Sequence, residues 1–174
     1  MRGSGKHSHA AMSPASPSPA SRPRWVLDTN VVLDLYMFEE PSLQPLARVL
    51  AEGRAVALAN SATLDELARV LAYPQFKVDE ARQAVIHARY AALVERQADG
   101  LEAPPLPQCR DRDDQKFIEL AVTAQADWLL SKDKLVLKMA RRRGSLGDLR
   151  ILAPLSALAL LEAEPTKVQP GTAP

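Results

Sequence analysis

The sequence predicts an α/β domain, a three-layer αβα sandwich around a central, mostly parallel sheet. Two observations predict it. Apolar runs of strand length recur at 25–28 (WVLD), 55–60 (AVALAN), 127–131 (DWLLS) and 149–154 (LRILAP). The segments between them carry apolar residues at helical spacing, and strands alternating with helices argue for a parallel sheet.

In chain order, WVLD is a buried strand followed by a helical stretch from Asn30 to Phe38. Residues 41–53 place Leu43, Leu46, Ala47 and Leu50 on one face, with Gly53 as a stop. After the strand at 55–60, Ser61 is the expected N-cap of a helix that lines up Leu64, Leu67, Ala68 and Leu71, with Pro74 just beyond. Residues 78–100 read as one long helix carrying Ile86, Tyr90, Leu93 and Gln97 and closed by Gly100. Pro104, Pro105 and Pro107 then force an extended connection. A helix over 113–125, the strand at 127–131, a helix over 132–144, the last strand and a helix over 155–163 complete the domain.

Residues 1–23 are rich in Ser, Pro and Ala and cannot bury enough apolar surface to offset their ordering entropy. They are expected to form a disordered tail, residues 24–162 the domain, and 163–174 a second tail. His7 and His9 in the first tail make at best a weak metal site.

At 174 residues and 47% hydrophobic, the chain supports one domain with its own core. The formal charge of +1 gives no overall polyelectrolyte character. Four basic residues and no acid lie in the first 24, so the rest is slightly acidic and would need local basic patches or bound cations to hold a polyanion. The single cysteine, Cys109, excludes an intramolecular disulfide and a cysteine metal set. No apolar run reaches membrane-spanning length and the N-terminus lacks the apolar core of a secretory signal, so a cytoplasmic location is expected.

The acids fall where a parallel sheet puts its ligand sites, at the carboxyl ends of strands. Asp28 ends the first strand, Glu66 lies one turn into its helix, Asp111, Asp113 and Asp114 crowd the start of another, and Asp133 follows the third strand. Singly, each has a structural job open to it. Asp28 and Asp133 could cap helices, Glu66 suits a helix dipole, and Asp111-x-x-Asp114 has the form of a capping box. Jointly they share one rim. Two carboxylates about 4 Å apart repel by roughly 4 kcal/mol at an effective dielectric near 20, so convergence requires proton uptake or a cation. An all-oxygen set favours Mg²⁺ or Mn²⁺ over zinc.

The segments VLDTNVVLDL, SATLDELARVL, RDRDDQKFIELAVTAQADWLLSKDKLVL and ILAPLSAL together resemble a PIN domain. More narrowly, they are similar to the PIN-family toxin components of bacterial toxin–antitoxin systems. The resemblance covers about residues 25 to 160. It implies a metal-dependent endoribonuclease using Mg²⁺ or Mn²⁺, with Asp28, Glu66, Asp114 and Asp133 as catalytic ligands and Asp111 as an extra one. Asn30 and Ser131 match supporting polar positions. The chain departs from the pattern after Ser131, where Lys132 stands in place of a small residue and Lys134 in place of a further acid. The resemblance also implies an RNA substrate, a cognate antitoxin and a homodimer.

Lys132, Lys134, Arg141, Arg142 and Arg143 are the candidates for RNA phosphate, set against a solvated helix end that needs no ligand. An Asp-nucleophile phosphatase would want a carboxylate where Asn30 stands. A receiver domain would want paired acids at the first strand and a lysine after the last, and ILAPL offers none. A PIN fold that binds RNA or protein without cutting is the remaining alternative.

Overall fold

The computed structural model describes residues 22–163, so both tails, with His7 and His9, lie outside the described residues apart from Arg22, Pro23 and Ala163. Five strands form one fully parallel sheet: β1 (Arg24–Leu27), β2 (Val56–Ala59), β3 (Glu95–Arg96), β4 (Trp128–Leu130) and β5 (Arg150–Leu152), in the order β3-β2-β1-β4-β5. The helices are α1 (Thr29–Tyr36), α2 (Gln44–Ala51), α3 (Ser61–Leu71), α4 (Glu80–Leu93), α5 (Gln115–Thr123), α6 (Lys134–Lys138), α7 (Arg143–Leu146) and α8 (Pro154–Ala163).

The apolar runs are strands because both faces of the sheet are covered. Side chains alternate along β1, so Trp25 and Leu27 join one core with α1, α2, α3 and α4, while Val26 joins the other with α5, α6 and α7. Ala57 and Ala59 against Leu58 repeat the division on β2. Two separate cores sandwich the sheet, which is the three-layer αβα arrangement. Trp25 and Trp128 are Cα partners on neighbouring strands, and their rings stack with centroids 5.1 Å apart and planes 5° from parallel.

Four features differ from the sequence expectation. The N-cap of α3 is Asn60, not Ser61. Asn60 and Thr63 form a reciprocal capping box at 3.1 Å each way, while Ser61 gives its amide and hydroxyl to Asp99 at 2.9 and 2.6 Å. The residues at 41–53 split into a 3-10 turn (Pro41–Leu43) and α2, because Pro45 fits only the first turn of a helix.

The long helix ends at Leu93 rather than near Gly100, because Val94 turns extended (φ −82°, ψ 147°) and leads into β3. Gln97, expected on that helix, instead donates its amide to Ala59 O at 2.8 Å. The helix expected over 132–144 is broken into α6, a 3-10 turn (Met139–Arg142) and α7. Val136 of α6 and Met139 at the start of the 3-10 turn are both buried in the same core.

Candidate active site

The parallel ladder builds the centre of the site. The Asp28 amide donates to Leu130 O at 2.9 Å, extending the β1–β4 pairing one residue past each strand, and so sets Asp28 beside Ser131. Asp28 is 3% exposed and Ser131 fully buried. Asp28 stands at the N-cap of α1 and its carbonyl accepts from Val31 and Val32, but its carboxylate makes no cap bond. The Asp28 Oδ2 atom instead accepts from Ser131 Oγ at 2.6 Å and Asn30 Nδ2 at 3.0 Å. Burial pushes the Asp28 carboxyl upward against the pull of these donors, and the Glu66 charge adds to the rise.

Ser131 and Asn30 are themselves held. Ser131 Oγ accepts from the Asp133 amide at 3.0 Å, and Asn30 Oδ1 accepts from the Lys132 amide at 3.2 Å. The loop after β4 is thereby pinned to the loop after β1. Asp133 does cap its helix, with Oδ1 accepting from Leu135 at 2.7 Å and Val136 at 3.1 Å, so one of its oxygens is committed to structure.

Asp114 stands at the N-cap of α5 with no side-chain cap bond, and Asp111 accepts from the Asp113 amide at 2.9 Å, a local turn. The capping-box form of this segment is therefore not used. Gln115, buried, fixes the approach by accepting from the Cys109 amide at 2.6 Å and donating to Pro107 O at 3.4 Å. The Asp114 carboxyl is pushed up to about 7, first by burial and then by the charges of Asp28, Asp133, Asp111 and Glu66. The acids that sequence spacing assigned to one rim thus act on one another's charge.

Glu66 reaches the rim from α3. Its Oε1 accepts from Thr29 Oγ1 at 3.2 Å, and its Oε2 is in ion contact with Lys116 Nζ. That oxygen is buried, and Lys116 answers its charge. A second pair closes the other side, where Lys132 Nζ lies 2.5 Å from Asp34 Oδ2.

Thr29, Asp34 and Lys116 were not singled out in the sequence. Asp34 was findable, as an acid inside the otherwise apolar helix Val31–Tyr36, the same signal that marked Asp28. Lys116 was not, because its partner lies 50 residues away on another helix. Of the basic candidates, Lys132 is engaged with Asp34, Lys134, Arg141 and Arg142 are exposed, and the side chain of Arg143 lies outside the described residues.

The donor chemistry fits a hard divalent cation, since every candidate ligand is a carboxylate oxygen. Among the described residues no three His, Cys, Asp or Glu side chains stand close enough to hold one ion. That still suits Mg²⁺, which commonly takes one or two carboxylates and keeps several waters.

Fold and rim together define an α/β domain that gathers acids at the carboxyl end of a parallel sheet. The chain belongs to the PIN domain family, whose sequence pattern matches residues 24–135. PIN domains are generally nucleases that use divalent metals, so the membership supports a hydrolase acting on nucleic acid. Among solved structures, the chain is similar to VapBC2 from Rickettsia felis bound to a DNA fragment from their promoter, with 13% identity over 75% of this chain and 98% of that one and a TM-score of 0.49. No curated protein matches. Among the described residues no helix is long and apolar enough to cross a membrane.

Proposed function

We propose that the chain is a Mg²⁺- or Mn²⁺-dependent endoribonuclease, the toxin of a toxin–antitoxin pair. The observation that carries this reading is the Asp28 carboxylate. It is buried at a strand end, turned away from the helix it could cap, held by Ser131 and Asn30, and within range of the charges of Glu66 and Asp114. Such an arrangement costs stability unless a cation answers it.

Asp28, Glu66, Asp114 and Asp133 form the acidic rim, with Asp111 at its outer edge. When bound there, a divalent ion supplies charge stabilisation at the scissile phosphate and a more acidic water. Ser131 and Asn30 orient Asp28. Lys134, which directly follows Asp133, and Arg141 and Arg142, all exposed, offer phosphate contacts to the flanking RNA. The toxin assignment and its antitoxin partner rest on the sequence resemblance, and α2 and α4 offer faces for that partner or for a second copy.

The test is cleavage of a mixed RNA substrate with Mn²⁺ or Mg²⁺, comparing wild type with Asp28→Asn and with EDTA. Loss of cleavage in both controls is expected. Metal binding without cleavage by the wild type would instead favour a PIN fold that binds RNA or protein without cutting.

A further inference from the structure

We propose that Lys116 is the resident cation of this site, standing at Glu66 in place of a second divalent ion and confining the metal to the side of Asp28 and Asp114. The proposal rests on the nuclease reading above and deepens it.

Lys116 lies in the first turn of α5, two residues after Asp114, so the backbone that sets Asp114 on the rim also carries Lys116 towards it. Its ammonium reaches across to α3 and meets Glu66 Oε2, with side-chain exposures of 25% for the lysine and 11% for the glutamate. The same Glu66 oxygen is buried, and Lys116 is its partner. Its partner oxygen takes only the neutral hydroxyl of Thr29. The charge of Glu66 is therefore answered by Lys116, and a divalent ion arriving at that oxygen would have to displace or repel an ammonium already there.

The opposite side of the rim is built differently. The Asp28 Oδ2 atom accepts only from the neutral donors Ser131 and Asn30, and Asp114 has no cap bond. Among the described residues no Lys or Arg nitrogen lies within ion-pair distance of Asp28, Asp114 or Asp133. Lys132, the other lysine near the rim, is turned to Asp34. Two lysines thus occupy the flanks of the site and leave its centre to the metal. A lysine cannot dissociate, so Glu66 keeps a counter-charge when divalent ions are scarce.

The test is Mn²⁺ stoichiometry of the full chain by calorimetry and by electron paramagnetic resonance, which read metal binding without reading activity. The wild type should bind one ion per chain. Lys116→Met, which keeps the stem and removes the charge, should bind a second. The paired variant Lys116→Met/Glu66→Gln removes both charges, leaves no unpaired buried ion, and should not bind the second ion.

If Lys116→Met does not fold, Lys116→Gln, which removes the charge but keeps a neutral donor for Glu66, should bind the second ion instead. Two ions on the wild type, one unchanged ion on Lys116→Met, or two ions on the paired variant would overturn the proposal. In each of those cases the nuclease reading stands. A wild type that binds no Mn²⁺ and cuts no RNA overturns both.

Discussion

Ser131 Oγ donates to Asp28 Oδ2 at 2.6 Å across 103 residues of sequence. The bond joins the ends of β1 and β4, and it is short because its acceptor is a buried carboxylate with one other donor on the same oxygen. Ser131 is therefore both a strut between strands and the first of the donors that hold the Asp28 carboxyl down.

Replacing it tests both roles. Ser131→Ala should destabilise the metal-free protein by about 1–3 kcal/mol, the cost of a buried acceptor losing a charge-assisted bond, read from urea unfolding. It should also move the acid limb of any pH–activity profile to higher pH, because Asp28 loses its strongest acidifying contact.

The pH dependence of stability has a definite sign. Burial and the neighbouring acids push the Asp114 carboxyl from an ordinary 3.8 up to about 7, so the folded state holds its proton over that interval and the unfolded state does not. Stability is thus present at low pH and lost as pH rises from about 4 to about 7. Solvent screening reduces the effect to roughly 1–2 kcal/mol. The difference between wild-type and Asp114→Asn unfolding curves isolates it, and saturating Mg²⁺ should remove most of it at neutral pH. A difference curve that is flat, or that rises with pH, would contradict the burial of Asp114 among acids.

The basic residues should separate into two kinds. Arg141→Ala and Arg142→Ala should each weaken RNA binding and lower its logarithmic salt slope by about one, with stability unchanged. Lys132→Ala should instead cost about 1 kcal/mol, because it leaves the Asp34 carboxylate without its partner. Filter binding across a salt series and thermal unfolding distinguish the two.

Asn60→Ala should cost about 1 kcal/mol by removing the capping box of α3, while Ser61→Ala should not unravel that helix start. Denaturant unfolding of the two variants checks the assignment.

The strands β1, β2, β4 and β5 were legible because each carries consecutive apolar residues that divide between the two cores, even though β5 opens on the exposed Arg150. The strand β3 was not. It is two exposed polar residues, Glu95–Arg96, at the sheet edge, and Gln97 happens to continue the helical spacing of Ile86, Tyr90 and Leu93. What ends α4 is a backbone choice at Val94 that no residue type announces. The acidic candidates stood out because buried or clustered charge is anomalous in any fold. Their partners Thr29 and Lys116 could not, because they meet Glu66 only through the packing of α1, α3 and α5, and an isolated lysine after a helix start is unremarkable in sequence.

The paired indoles of β1 and β4 give the molecule an internal spectroscopic gauge. Trp25 and Trp128 are the only tryptophans in the chain, and they lie nearly parallel at 5.1 Å. Transition dipoles at that spacing couple, so all indole absorption, fluorescence and near-ultraviolet circular dichroism originate from a single dimer of chromophores. That dimer sits on the strand pair whose ends carry Asp28 and Ser131. Any loosening or slip of those two strands would be visible without a label, and a titration of metal or RNA could be followed by light from the foundation of the site rather than from its surface.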